Sequence, residues 1–146
     1  GITHNDIKPD NLILYSDNVY VIDFEFCKVS FPFADGKKLQ TQNKYTPLYA
    51  SLKKLTDKMF VDFALSYEDD IWSIGITMLE TLLGIDVFEG CETISDVQSV
   101  IKYKLTSDNI YQIIKSQEMA HMIEEILLNR ISTGDIINRV THLIYY

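Results

Sequence analysis

Four side chains near the start of the sequence have the chemistry of phosphate handling. Asp6 and Lys8 stand two positions apart, Asn11 follows three later, and Asp23 comes after a short apolar stretch. Moving a phosphoryl group onto a hydroxyl requires an acceptor to orient that hydroxyl, a cation against the developing charge, and hard oxygen ligands for a metal on the phosphates. Asp6 could accept the hydroxyl proton and Lys8 could neutralise charge. Asn11 offers an uncharged oxygen ligand, and Asp23 a carboxylate suited to Mg²⁺.

These residues must be brought together by what lies between them. Leu12-Ile13-Leu14-Tyr15 and Val19-Tyr20-Val21-Ile22 are short runs of β formers, separated by Ser16-Asp17-Asn18. They predict a β-hairpin, which would leave the Asp6–Asn11 segment on one strand and return Asp23 beside it on the next. From about Lys28 to Thr46 the periodicity is weak, and a long loop is expected.

From Asp69 to Leu83 the pattern becomes helical. Ile71, Trp72, Ile74, Ile76, Met78, Leu79, Leu82 and Leu83 go almost all the way round a helix, which must then be buried on all sides. Gly84 is its expected stop. Ile94 to Leu105 and Ile110 to Leu128 carry further helical periodicity, with breaks. Ser132 or Thr133 could cap a last helix through Ile136, Ile137, Val140, Leu143 and Ile144, with Asp135 in the first turn, where a negative charge suits the helix dipole. No internal repeat or linker divides residues 1–146, so one mainly α domain with a small β-hairpin at one edge is expected.

Composition narrows the partners. The 146 residues are 47% hydrophobic with no low-complexity tract, which speaks against disorder. A net charge of −8 argues against nucleic acid or an acidic membrane surface as partner. No apolar run approaches the roughly 20 residues of a membrane span. Cys27 and Cys91 match no metal or redox spacing, and two reduced thiols in a cytoplasmic or nuclear protein are expected.

His4-Asn5-Asp6-Ile7-Lys8-Pro9-Asp10-Asn11, followed by Asp23-Phe24-Glu25, resembles the protein-kinase signature His-Arg-Asp-Leu-Lys-Pro-Glu-Asn with its later Asp-Phe-Gly. Downstream, Thr46-Pro47-Leu48-Tyr49-Ala50-Ser51 resembles the end of a kinase activation segment. Asp70-Ile71-Trp72-Ser73-Ile74-Gly75 resembles the Asp-x-Trp-Ser-x-Gly that opens the family's central buried helix. Arg130-Ile131-Ser132 is similar to the arginine-containing approach to the last helices. The resemblance covers nearly the whole chain and implies the C-terminal lobe of a eukaryotic-type serine/threonine kinase, whose complete fold is α+β in two lobes. It implies transfer of the γ-phosphoryl of Mg²⁺-bound ATP to a protein hydroxyl. Asp6 would be the catalytic base, Lys8 the phosphate-contacting lysine, and Asn11 and Asp23 the metal ligands. Thr46 would sit on the substrate strip near Asp6. His4 would pack under the loop, and Asp70 would brace its backbone.

The pattern also breaks. Asn5 stands where the family has an arginine that pairs with an activating phosphate, so switching through Ser30 or Thr41 is expected to be weak. Glu25 replaces a glycine and should restrict how Asp23 can turn. Leu52-Lys53 replaces Pro-Glu, and Lys53 is expected to stay away from Arg130, because a buried like-charge pair is costly. Tyr49-Ala50-Ser51 without Pro-Glu is similar to the casein kinase group. Residues 1–146 hold no Gly-rich loop, strand lysine, helix glutamate or hinge ahead of this motif, so they are expected to be a fragment, or a truncated gene model, that lacks the N-terminal lobe. Alone it should bind ATP poorly and transfer phosphate barely at all.

Two rival readings share the fold. Choline- and aminoglycoside-type kinases also use His-x-Asp and Ile-Asp-Phe-Glu, as in Ile22-Asp23-Phe24-Glu25, but Lys8 and the pairing of the Thr46 and Asp70 motifs oppose them. A pseudokinase acting as a binding module would account for Asn5, Glu25 and Lys53, yet Asp6, Lys8, Asn11 and Asp23 are all retained. His121 and His142 are expected to be surface or satisfied polar groups, and Tyr145-Tyr146 to be helix packing. In the acidic cluster Glu68-Asp69-Asp70, a specific role is expected for Asp70 alone.

Overall fold

A computed structural model describes residues 2–29, 45–56, 67–128, 132 and 134–139. Two small antiparallel β pairs lie at one edge and helices form the rest. The hairpin joins β2 (Leu12–Tyr15) to β3 (Asn18–Val21), with Leu12 opposite Val21 and Tyr15 opposite Asn18. Its turn is therefore Ser16-Asp17, one residue shorter than the sequence suggested. Both residues have positive φ, 47° and 62°, the handedness that matches strand twist in a two-residue hairpin. Asn18 belongs to the strand, and its side-chain amide donates back to the Ser16 carbonyl at 2.9 Å.

A second pair was not foreseen. β1 (Ile2–Thr3) runs antiparallel to β4 (Lys28–Val29). The expected loop from Lys28 thus begins with two paired residues, because Thr3 and Ile2 offer their backbone groups there. This pair closes the hairpin into a loop: the chain leaves at Thr3 and returns at Lys28, with residues 4–27 between. Ser30 and Thr41 lie outside the described residues.

The helical part is built on α2 (Tyr67–Leu83) and α5 (Gln117–Leu127), with α1 (Leu52–Thr56), α3 (Ile94–Tyr103) and α4 (Ser107–Ile113) packed around them. Ile76, Leu79, Phe88, Val97, Ala120 and Ile123 form the centre of one core, each at most 2% exposed. Burial of a side chain such as Ile76 or Phe88 contributes about 1.5–3 kcal/mol. Close approach of α2 and α5 depends on Gly75, where a Cβ would sit 2.6 Å from Ile126 Cγ2.

α2 already includes Tyr67, two residues before Asp69, and stops at Gly84, whose φ of +64° suits glycine and whose N–H donates to the Glu80 carbonyl. The helix is not buried all round: Leu82 is 49% exposed. Its buried stripe instead includes Ser73, Gly75, Thr77 and Glu80, small or paired polar residues that let other helices come near. The two later periodic stretches resolve into α3, α4 and α5. Thr93 caps α3 reciprocally with Asp96, and Ser116 caps α5. Residues 134–139 are helical. Ser132 accepts from the Asp135 N–H, as a cap should, and Ile136 is buried. Ile137, counted above with the packed face, is 60% exposed. Val140, Leu143, Ile144, His142 and the terminal tyrosines lie outside the described residues. No helix among the described residues is long and apolar enough to cross a membrane.

Candidate functional site

The segment from His4 to Asn11 is held from behind by α2. Asp70, in the helix's first turn, accepts the backbone N–H of His4 at 2.7 Å with one carboxylate oxygen and that of Asn5 at 2.8 Å with the other. Hydrogen bonds to an ionised acceptor contribute about 1.5–3 kcal/mol each. They satisfy two donors in a turn where Asn5 takes φ 65°, a left-handed conformation that asparagine tolerates. His4 is buried beneath. Its Nδ1 accepts the Asp6 N–H at 3.3 Å, so the ring proton lies on Nε2, which donates to the Ile22 carbonyl at 3.0 Å. Phe24 meets the ring edge-on at 4.8 Å between centroids. His4 therefore fastens the loop to the end of the hairpin.

Asp6 stands at the centre and is 3% exposed. One carboxylate oxygen accepts from the Thr46 N–H at 3.2 Å and the Thr46 hydroxyl at 2.5 Å. The other accepts from Asn11 Nδ2 at 3.0 Å and faces Lys8 Nζ at 3.0 Å. Burial alone would raise the pKa of Asp6, but the Thr46, Lys8 and Asn11 donors prevail and hold it below the usual carboxylate value. Lys8 Nζ also donates to Thr46 Oγ1 at 3.0 Å, so Asp6, Lys8 and Thr46 close a triangle. A carboxylate offers about four lone-pair sites, and those of Asp6 are all taken.

Asn11 ends a 3₁₀ turn, Pro9–Asn11, that starts the hairpin. Its Nδ2 donates to the Asp6 carbonyl as well as the Asp6 carboxylate. This orients the amide and leaves Oδ1 without a hydrogen-bond partner among the described residues. That oxygen is not sealed in, since Trp72 Nε1 is the buried side-chain polar atom that lacks a partner among the described residues. Asp23 follows the second strand with φ 61°, and its carboxylate is exposed and accepts the Glu25 N–H at 3.3 Å. It bonds to none of Asp6, Lys8 or Asn11. Its neighbours are tied to the loop: the Ile22 N–H donates to the Asn11 carbonyl at 2.9 Å, the Ile22 carbonyl accepts from His4, and Phe24 meets the His4 ring. Glu25 lies in a 3₁₀ turn, Phe24–Phe26, and its φ is not positive. The left-handed conformation of this stretch is taken by Asp23.

An amide oxygen and a carboxylate are the hard ligands Mg²⁺ accepts, the rest of its shell coming from water and phosphate. No group of three or more His, Cys, Asp or Glu side chains among the described residues is placed to hold a metal alone. The Asn11 amide and the Asp23 carboxylate suit a metal whose remaining ligands come from phosphates and water.

Several participants were not singled out from the sequence. Asp69, set aside above as a dipole residue, accepts from Ser51 Oγ at 2.7 Å and faces Lys54 Nζ at 3.8 Å. This corrects the assignment of a specific role to Asp70 alone. Tyr49 donates to the buried Glu80 carboxylate at 2.7 Å. A glutamate within an apolar helix was the available signal. Lys53 points outward, 3.9 Å from Glu68; its expected separation from Arg130 cannot be followed, because Arg130 lies outside the described residues. His121 is a surface residue that meets the Tyr111 hydroxyl at 2.9 Å, and Cys27 and Cys91 are free thiols.

A helical lobe that braces a His-x-Asp loop through an aspartate, with a metal-suited Asn and Asp on either side of a hairpin, defines a kinase C-terminal lobe. Residues 1–141 match the family model described as "Protein kinase domain", and the chain belongs to the protein kinase family. It is 27% identical over 138 residues to Aurora kinase of Debaryomyces hansenii, an alignment covering 94% of this chain and 32% of the relative. It is 33% identical over 91 residues to serine/threonine-protein kinase stk11 of Xenopus laevis, covering 62% of this chain and 20% of that protein. With cGMP-dependent protein kinase 2 of Mus musculus it shares 33% identity over 103 residues, 70% of this chain and 12% of the relative. The chain spans about a third or less of the length of these curated relatives.

Proposed function

We propose that this chain is the catalytic-loop half of a protein serine/threonine kinase, working with an N-terminal lobe of the same parent chain that clamps ATP. The observation that carries the reading is the convergence of Thr46, Lys8 and Asn11 on the buried Asp6 carboxylate. The exposed apolar side chains of the hairpin, Leu14 at 74% and Val19 at 63%, support a covering lobe on that edge. The serine/threonine kinases among the relatives support the substrate class. A cytoplasmic or nuclear setting belongs to the same proposal and is supported by the free thiols.

Each side chain has a task that its geometry suits. The substrate hydroxyl takes a place on Asp6, and Lys8, whose side chain is 20% exposed, leaves for the phosphates. The hydroxyl oxygen bonds to the γ-phosphorus as the bond to the ADP oxygen breaks, and the hydroxyl proton leaves by way of Asp6. With its pKa held low, Asp6 orients the nucleophile more than it strips it early. Lys8 answers the charge on the transferring group. Thr46 keeps Asp6 in place and begins the strip that faces the substrate. Asn11 and Asp23 would hold Mg²⁺, which would supply charge neutralisation to the phosphates.

The test uses the full-length protein, labelled ATP, Mg²⁺ and a mixed peptide library. Label is expected on serine or threonine, and Asp6→Asn should abolish it with circular dichroism unchanged. Full transfer by Asp6→Asn would defeat the assignment. Label on choline or an aminoglycoside instead would establish a small-molecule kinase. Nucleotide binding without transfer would make the protein a pseudokinase.

A further inference from the structure

Lys54 is a half-buried cation in an unexpected place. Its side chain is 12% exposed. Ser51 Oγ accepts its backbone N–H at 3.2 Å and donates to Asp69, which in turn faces the Lys54 ammonium at 3.8 Å. The lysine is thus held at both ends by one Ser–Asp pair. From there Nζ reaches two further groups. It donates to Asn5 Oδ1 at 3.4 Å and lies 4.7 Å from the centroid of the Tyr45 ring, within the range of cation–π attraction. Asn5 immediately precedes Asp6, and Tyr45 immediately precedes Thr46. The far side of Asn5 is tied as well, its Nδ2 donating to the Phe26 carbonyl at 3.1 Å.

We propose that Lys54 is a positioning residue: by joining Asn5 to Tyr45 it holds the Asp6–Thr46 couple in register with no activating phosphate. The idea rests on the kinase reading above and adds its mode of control. A neutral amide at position 5 suits this arrangement, since the surroundings of Lys54 already hold another cation. Lys28 on β4 opposes its charge, while Asp69, Asp70 and Asp6 favour it. Tyr45 and Asn5 are the uncharged groups against it. Burial outweighs the acids and lowers the Lys54 pKa below the usual lysine value. Its charge is therefore lost on raising the pH sooner than that of an exposed lysine.

The experiment compares wild type, Lys54→Met and Lys54→Arg in the full-length protein. The first readout needs no catalysis: hydrogen exchange at the Thr46 amide, which donates to Asp6. Lys54→Met should speed that exchange about tenfold or more, with α5 amides unchanged, and Lys54→Arg should restore it. The second readout is kinetic. Lys54→Met should lower kcat about ten- to a hundredfold with KM for ATP unchanged. Lys54→Arg should retain kcat and abolish the fall in kcat on the alkaline side. Phosphatase treatment should leave wild-type activity intact. Wild-type exchange at Thr46 in Lys54→Met, failure of arginine to rescue, or silencing by phosphatase would each overturn the proposal. Should Lys54→Met not fold, the alkaline limb of wild type against Lys54→Arg decides. If wild type transfers no phosphate at all, the kinase reading fails while Thr46 exchange still judges Lys54.

Discussion

Thr46 and Asp6 are joined twice, by backbone N–H and by hydroxyl, across 40 residues of sequence. One carboxylate oxygen takes both bonds, so the segment that begins at Thr46 is tied directly to the His4–Asn11 loop. Lys8 bridges the same two residues from a third side.

Removing the hydroxyl while keeping the shape separates its share from that of the backbone bond. Thr46→Val should leave the N–H in place and lower kcat about tenfold or more, while Thr46→Ser should keep it near wild type. The same change has a pH signature. The Thr46 bond is the largest of the influences that lower the Asp6 pKa, working against burial. The lowered pKa gives stability that is present above the ordinary value of 3.8 and is lost as pH falls through the folded-state value. Thr46→Val should therefore lose that contribution at higher pH on acid titration. Steady-state kinetics and acid unfolding monitored by circular dichroism check both; identical acid profiles would count against it.

What could be read from the sequence follows what is local. The hairpin, the start of α2 and the stop at Gly84 rest on periodicity and turn chemistry within a few residues, and they appear within one or two positions. Asp70 was legible through the order of a motif, and its two bonds to His4 and Asn5 give that order its physical reason. Lys54 was not legible. Its partners Asn5, Tyr45 and Asp69 are 49, 9 and 15 residues away and meet only when the His4–Asn11 loop, the segment at Tyr45 and α2 pack around α1. Leu82 fails for the opposite cause. A hydrophobic face predicts burial, but whether a neighbour arrives to cover it is a property of the whole fold. Pairing of β1 with β4 was hidden because two-residue strands carry no period.

Gly75 tests the packing that positions Asp70. Added as alanine, its Cβ would lie 2.6 Å from Ile126 Cγ2 and 3.0 Å from Leu127 Cδ2. Ile126 is 1% exposed and β-branched, so its methyl cannot swing aside cheaply. Gly75→Ala should cost about 1–3 kcal/mol, despite the better helix propensity of alanine. A lowered urea midpoint with unchanged slope is the expected result; a gain in stability would mean that α2 and α5 pack less closely.

Tyr49 and Glu80 give the sharpest prediction at high pH. The Glu80 carboxylate, 7% exposed, takes the Tyr49 hydroxyl on one oxygen and the Val87 N–H at 3.1 Å on the other. Burial and then the Glu80 hydrogen bond push the Tyr49 pKa far above its ordinary value of 10. A phenol with a raised folded-state pKa contributes stability that is whole below the ordinary value and is lost as pH rises through the folded one. Tyr49→Phe leaves Glu80 short of a donor, which should cost about 1–3 kcal/mol at neutral pH. The variant has no phenol to titrate, so its stability relative to wild type should recover steadily above pH 10. Urea unfolding at a series of alkaline pH values checks this. The two stability curves should converge; if they stay parallel, the hydroxyl does not hold Glu80, and the strip bearing Thr46 is anchored to α2 by Ser73, whose hydroxyl donates to the Tyr49 carbonyl at 2.8 Å.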